Sequence, residues 1–257
     1  MFNRRNRRCG LSRHRSDMRI ISIRTKIFFP PKDDIFPTIE KVGKKLREKD
    51  ILVITSKIVA IGEGRCVRVT TKAAKRKLIE QEGFYTRFNS IKNTEFSIKG
   101  NTVIASAGID DSNGNGYWIL WPENPMESAK KIWRFIREEN KLKELGVIIT
   151  DSYCTPLRSG VIGISIGFYG FHPIANHIGK EDIFGRRFRF SKSNIVDGVA
   201  AAAVTVMGET SEQIPLAIVR EVPQVRFTSS DTKRELYIHP KKDIYYPLLK
   251  PLYDKRR

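Results

Sequence analysis

Ile51-Leu-Val-Ile-Thr55 is a continuous apolar run, bounded by Asp50 before it and Ser56-Lys57 after it. Strict alternation would mark a strand with one face in water. An unbroken run this short marks a strand buried on both faces. Gly146-Val-Ile-Ile-Thr-Asp151 repeats the pattern and delivers an acid at its carboxyl end. Thr102–Ser106 is another strand, and it runs into Ala-Gly-Ile-Asp-Asp-Ser-Asn-Gly-Asn-Gly over 107–116, a turn-rich loop that carries Asp110.

Outward from these strands, Met18-Arg-Ile-Ile-Ser-Ile reads as a short β-branched strand. Ile35, Ile39, Val42 and Leu46 then recur at helical spacing behind Asp33 and Asp34, which can cap the helix. Pro37 falls in its first turn, and Asp50 marks its end. A basic helix is predicted over Thr71–Gln81, whereas Phe84–Ser97 is polar and aromatic without a clear period. Pro125 opens a helix whose Ala129, Ile132, Trp133 and Ile136 follow the i, i+3, i+4, i+7 template. Glycines at 160, 163, 167 and 170 lie among Val, Ile and Phe, which implies that a backbone or a ligand approaches that segment closely. Asn194 is placed to cap a helix over Ile195–Met207 with four consecutive alanines, stopped by Gly208, and Ile214–Glu221 makes a final strand. No internal repeat or low-complexity linker divides the chain, so any domains are interwoven rather than strung along it.

The 257 residues are 40% hydrophobic, enough for a core of ordinary size, and carry a net charge of +19. That excess suggests a polyanionic partner. Residues 1–17 hold Arg4, Arg5, Arg7, Arg8, Arg13 and Arg15 against Asp17 and are expected to be a disordered basic leader, either an organellar transit segment or a stretch ahead of a natural start at Met18. Residues 223–257 form a basic C-terminal extension. Because much of the charge lies at the two ends and no DNA- or RNA-binding motif appears, a nucleic-acid partner is disfavoured. Cys9, Cys66 and Cys154 form no CxxC or Cys/His pair, which excludes a disulfide scaffold or a structural zinc site. The apolar stretches are too short to span a bilayer, and a cytoplasmic location is expected.

There is no Walker P-loop and no GxGxxG after a strand. His172 and His177 lie in a Pro-containing loop, as metal ligands or as surface residues. Asp110 and Asp151 each follow a buried strand, where α/β proteins commonly place ligands. With Asn113 and the Ser152 hydroxyl beside them they suit Mg²⁺ or Mn²⁺ holding nucleotide phosphates; the alternative is that both cap turns.

Five strings then occur in order: Thr55-Ser-Lys-Ile-Val-Ala-Ile-Gly-Glu-Gly-Arg65, Ala107-Gly-Ile-Asp-Asp-Ser-Asn113, Gly146-Val-Ile-Ile-Thr-Asp-Ser152, Ala200-Ala-Ala-Ala-Val-Thr-Val-Met-Gly208 and Glu212-Gln-Ile-Pro-Leu-Ala-Ile-Val-Arg220. Together they resemble the coenzyme F420-0:L-glutamate ligase family over roughly residues 18–222. The resemblance implies an α+β fold of mixed sheets with packed helices and interwoven subdomains, in an intertwined homodimer. It implies a ligase that uses GTP to phosphorylate the terminal carboxylate of F420-0, after which the amine of L-glutamate attacks the acyl phosphate. A carboxylate oxygen leaves poorly until phosphorylated, and the transfer needs metal and cationic groups to absorb charge. Mg²⁺ or Mn²⁺ and K⁺ are the implied ions, with Asp110, Asp151 and Ser152 as metal-binding residues. Asp110, Asp151 and Arg158 are the implied catalytic set. Ser56, Lys57, Asn113, Met207, Gly208, Glu209, Glu212 and Gln213 are the implied nucleotide contacts.

The chain also departs from the family pattern. Ile61 stands where a lysine assigned to GTP precedes the Ala-Glu-Gly-Arg string, and Lys57 is expected on the other face of a strand or loop. Tyr153-Cys-Thr-Pro-Leu-Arg158 replaces Phe-Gly-Arg-Pro-Trp-Arg, which points to an altered acceptor pocket. Phe29-Pro-Pro and a full helix are expected in place of a short amino-terminal nucleotide loop. Arg158 suits either a bidentate carboxylate or phosphate contact or a structural salt bridge, and Glu63 and Arg65 pair with each other or with substrate. Cys154 has no partner histidine and reads as a bystander. Two alternatives stand beside the lead reading: a ligase of this fold on another carboxylate acceptor, and a non-catalytic nucleic-acid-binding protein.

Overall fold

The computed structural model describes residues 17–83, 85–89 and 94–253. The leader expected over 1–17 therefore lies outside the described residues, apart from Asp17. In chain order the elements are β1 (Arg19–Ile23), α1 (Phe36–Gly43), β2 (Ile51–Thr55), α2 (Ser56–Glu63), β3 (Cys66–Val67), α3 (Lys72–Glu82), β4 (Tyr85–Asn89), β5 (Thr94–Lys99), β6 (Thr102–Ala105), β7 (Trp118–Ile119), α4 (Pro125–Asn140), β8 (Gly146–Tyr153), β9 (Ile162–Tyr169), β10 (Ile174–Asn176), β11 (Lys192–Asn194), α5 (Ile195–Met207), β12 (Leu216–Arg220), α6 (Lys233–Leu236) and α7 (Tyr246–Tyr253).

A five-stranded mixed sheet in the order β1-β12-β2-β8-β9 forms the centre. β2 and β8 are parallel, and the other neighbours in this sheet are antiparallel. Its middle strands are apolar throughout because both faces are covered. Leu52, Ile54, Val147, Ile149, Leu216 and Ile218 point to the layer of α1 and α4, whereas Ile51, Val53, Ile148, Ala217 and Val219 point to α5. A three-stranded sheet β4-β5-β6 and the short pair β3-β7 lie beside α3, around a small core of Ile79, Ala107, Ile109 and Leu120. This is the mixed α+β architecture expected.

α5 begins as its sequence dictates: Asn194 Oδ1 accepts the Asp197 amide at 3.1 Å, and Gly208 at φ +82° ends the helix. Asn124 caps α4 in the same way, with Pro125 in the first turn. The glycines of β9 admit other backbones. A Cβ on Gly163 would lie 2.7 Å from the Ala200 carbonyl oxygen, and one on Gly167 would lie 2.3 Å from that of Pro125. The two layers can thus close on β9 from opposite sides.

Several local expectations are corrected. α1 stops at Gly43, well before Asp50. Asp50 is instead a buried carboxylate that accepts the Arg47 amide at 2.8 Å and pairs with Arg220 at 3.1 Å, anchoring the turn into β2. The N-cap of α1 is Ile35; Asp34 accepts the Phe36 amide, and Asp33 is drawn away to Lys26. Within Phe84–Ser97, which showed no period, the described residues form β4 and the greater part of β5, an antiparallel pair in a small sheet that needs no wide apolar face. Ser56 and Lys57 begin a helix rather than a loop, ended by Gly64 at φ +73°. His172 bonds Glu235 at 2.8 Å and His177 bonds Ser193 at 2.9 Å, so the two histidines serve separate structural contacts. Among the described residues no helix is long and apolar enough to cross a membrane.

Gly167→Ala forces its methyl against the Pro125 carbonyl and is expected to cost about 1–3 kcal/mol of folding stability, read from denaturant midpoints at an unchanged m-value.

Candidate functional site

Because β2 and β8 run parallel with Thr55 opposite Thr150, their carboxyl ends finish side by side. Ser56 and Lys57 follow β2 directly, and Asp151 and Ser152 lie within the last residues of β8. Asp110 comes from the 107–116 loop, which is held to the body by reciprocal backbone bonds between Asp110 and Ile119 at 3.1 and 2.8 Å. The turn after α5 closes the opposite wall. These segments enclose a cleft of about 460 Å³.

Ser56, Lys57, Asp110, Asn113, Asp151, Ser152, Met207, Gly208, Glu209, Glu212 and Gln213 all line it. Arg158 does not; it sits on an exposed turn, its amide bonded to the Thr155 carbonyl at 3.1 Å. Thr25–Pro30 also line the cleft as an amino-terminal loop, and the helix expected behind Asp33 and Asp34 follows it as α1. That loop is tied to the far wall by the Thr25 amide, which donates to the Gln213 carbonyl at 3.0 Å. Lys57 and Ile61, expected on different faces, lie one turn apart in α2 and both line the cleft. Glu63 and Arg65 do not pair with each other. Glu63 accepts the Ser128 hydroxyl at 2.5 Å, while Arg65 pairs with Glu82 at 2.6 Å.

The two central acids sit in contrasting surroundings. Desolvation opposes charge on Asp110, but the Lys57 ammonium and the Ser112 hydroxyl and amide outweigh it and hold its carboxyl below the usual carboxylate value. Lys57 Nζ lies 2.7 Å from Asp110 Oδ2, 2.5 Å from the Ser112 carbonyl and 2.8 Å from Ser112 Oγ, a cation held by three oxygens. Among the described residues Asp151 has no cation in direct contact; Lys99 feels its charge from farther away. Burial pushes its carboxyl up to about 6, against bonds donated by Trp121, the Ser152 amide and Ser56, and the charge of Asp110 adds to the rise. Trp121 Nε1 donates to Asp151 Oδ2 at 2.5 Å, and Ser56 Oγ to Oδ1 at 3.3 Å.

The far wall is organised by its own polar bonds. Asn113 Nδ2 donates to the Thr210 carbonyl at 2.8 Å, joining the 107–116 loop to the turn after α5. Ser152 Oγ donates to Glu209 Oε2 at 2.7 Å, and Glu212 accepts the Thr210 amide and hydroxyl. No three His, Cys, Asp or Glu converge as a metal-binding group among the described residues. Asp110, Asp151 and Ser152, which line the same cleft, offer only oxygen donors, a set that suits a hard cation such as Mg²⁺ or Mn²⁺ rather than softer metals. Sequence reading missed Ser112 and Trp121. Ser112 lies within a recognised string, whereas nothing local marks Trp121.

The family model for F420-0:Gamma-glutamyl ligase matches residues 23–221. The chain is similar to the Coenzyme F420:L-glutamate ligase of Methanopyrus kandleri, at 31% identity over 84% of this chain and 92% of that protein. It is similar to the enzyme of the same name from Methanosarcina mazei, at 34% identity over 73% of this chain and 80% of that protein. With the Methanocaldococcus jannaschii protein of that name identity reaches 44%, over 46% of this chain and 47% of that protein.

The raised Asp151 carboxyl has a pH signature. Between the ordinary value of 3.8 and about 6 the folded protein holds a proton that the unfolded chain has released. Stability therefore falls as pH rises through that window and levels off above it. Asp151→Asn removes this cost, and in metal-free protein is expected to gain about 1–3 kcal/mol over wild type at pH 7, with the gain gone near pH 4, by denaturant titration at the two pH values.

Proposed function

This chain belongs to the F420-0:gamma-glutamyl ligase family, and from that premise we propose that it is a metal- and nucleotide-dependent amide ligase, joining L-glutamate in gamma linkage to coenzyme F420-0 in the cytoplasm. The observation that carries the reading is the sign of the cleft. Asp110, Asp151, Glu209 and Glu212 line it against Lys26 and Lys57, in a chain whose net charge is +19. A nucleoside triphosphate is repelled by such a wall unless a divalent cation stands between the carboxylates and the phosphates. Asp110, Asp151 and Ser152 would hold Mg²⁺ or Mn²⁺, which when bound supplies neutralisation of charge on the transferring phosphoryl group.

The chain's own groups do the rest. The turn of Met207–Gln213 and Asn113 bind GTP, and Ser56 orients the Asp151 carboxylate. Lys57, in the cleft and paired with Asp110 at 2.7 Å, would be free to meet phosphate oxygen if that carboxylate were engaged by a bound cation. The terminal carboxylate of the acceptor attacks the γ-phosphorus and GDP leaves. The glutamate amine then attacks the acyl carbon, and the C–O bond to phosphate breaks as the amide forms. Arg158, on its exposed turn, meets an anionic group of the acceptor. A second acceptor is favoured by one feature only, the altered segment Tyr153–Arg158.

A homodimer is also proposed. The arm between β10 and β11 exposes Ile183, Phe184 and Phe190 almost completely, at 92%, 89% and 88%. Isolated apolar side chains at a surface are ordinary, but three on one arm make a docking surface that a second copy would cover.

Incubated with Mg²⁺ or Mn²⁺, GTP, glutamate and F420-0, the protein is expected to release GDP and phosphate and to yield a product heavier by one glutamyl residue in mass spectrometry. GDP release that needs a different carboxylic acid would redirect the reading to another acceptor, and no turnover with any metal would sink it. Asp110→Asn and Asp151→Asn should each abolish metal-dependent GTP binding in calorimetry while leaving circular dichroism unchanged. Phe184→Asp should convert the dimer to monomer in sedimentation velocity.

A further inference from the structure

We propose that Trp121 is a positioning residue for the two-acid site, holding Asp151 through its indole N–H at a fixed distance from Asp110. The inference rests on the reading of Asp110 and Asp151 as the metal-holding pair.

Trp121 is 2% exposed and does not line the cleft. Its Nε1 lies 2.5 Å from Asp151 Oδ2, while the Ser56 hydroxyl reaches the other oxygen only at 3.3 Å. Of these two side-chain donors the indole is much the closer. An indole N–H donates and never accepts, so it can hold only the lone-pair side of the carboxylate and cannot reorganise as a hydroxyl can.

The ring is fixed from behind. Arg65 Nε donates to the Trp121 carbonyl at 3.2 Å, and Arg65 Nη2 grips both oxygens of Glu82 at 2.6 and 2.7 Å. Lys99 Nζ bonds the same Glu82 at 2.6 Å and lies 5.4 Å from the centre of the Trp121 ring. A cation, a carboxylate and a second cation therefore clamp the tryptophan at its backbone and its face. Side chains of Arg65, Glu82 and Lys99 are each largely buried, so water does little to loosen the clamp.

The turn leading to Asp110 is shaped around the same ring. A Cβ on Gly108 would stand 2.1 Å from Trp121 Nε1, and Gly108 has φ +71°. Only glycine fits there, and two residues later the chain delivers Asp110. One indole thus packs against the approach to one acid and bonds the other, which makes its width the spacer between them. Simple core packing does not require the N–H to face a carboxylate.

Trp121→Phe removes ring volume together with the donor, so the decisive variant is the whole chain carrying 3-benzothienylalanine at position 121, which keeps the ring shape and lacks the N–H. Binding of Mn²⁺ alone, followed by the loss of the free-ion signal in electron paramagnetic resonance, is expected to weaken by about tenfold or more, the cost of one hydrogen bond to a charged group. In turnover the same variant should lower kcat while KM for glutamate stays unchanged. Independently of metal, the Trp121 indole resonance in a ¹⁵N-correlated spectrum should move upfield in Asp151→Asn and stay in place in Asp110→Asn. Wild-type Mn²⁺ affinity in the isostere, or an indole resonance indifferent to Asp151→Asn, would overturn the positioning role. If wild type binds no Mn²⁺ while the indole resonance still moves, the bond is real but the metal reading fails, and the positioning role falls with it.

Discussion

The site depends on one constraint, the parallel pairing of β2 with β8 in a register that sets Thr55 opposite Thr150. Antiparallel neighbours would carry their polar ends to opposite edges of the sheet. Parallel ones finish together, so Ser56-Lys57 and Asp151-Ser152, far apart in the chain, open into the same cleft. Both strands are buried on both faces, and that burial defends the register. A slip by one residue would exchange the faces of Ile148 and Ile149 and carry Asp151 out of reach of Trp121.

Net charge describes this molecule poorly at the place where ligands would bind. The cleft is rich in carboxylates, and several of the cations that make up the excess are occupied elsewhere. Lys75 lies 4.0 Å from the centre of the Trp118 ring, Arg137 4.4 Å from that of Trp133 and Lys131 5.1 Å from that of Phe36. Cations over aromatic faces help to cover the rings and contribute modest attraction. Part of the basic character is therefore architectural. The cations that line the cleft are Lys26 and Lys57, and each is already paired with a carboxylate.

Much of this was legible from residues because it is local. β2, β8, β12 and α5 declare themselves by unbroken apolar runs, an asparagine cap and a glycine stop. The recognised strings also brought Ser56, Lys57, Asp110, Asn113, Asp151, Ser152 and the Met207–Gln213 turn to one cleft. Failures came where the deciding partner is distant or the pattern is short. The α2 helix follows its strand without a linker, and its N-cap, Thr55, makes no side-chain capping bond; Ser56-Lys57 looks like a strand or loop end until Ile58, Val59 and Ile61 are seen to be buried. Asp50 seemed a helix terminator because its partner, Arg220, lies at the far end of the domain. Trp121 carries no motif at all, and its importance comes from Asp151, Gly108 and Arg65, which only the tertiary fold brings near.

The bond from the Thr25 amide to the Gln213 carbonyl has a further consequence. Thr25 follows directly from β1 and Gln213 leads into β12, and these strands pair antiparallel with Ile23 opposite Leu216. The amino-terminal loop and the turn after α5 are therefore two arms of one ribbon, clasped just beyond its last rung. A ligand that touches both arms therefore meets them already fixed relative to each other, and the entropic penalty of bringing them together has been met in folding.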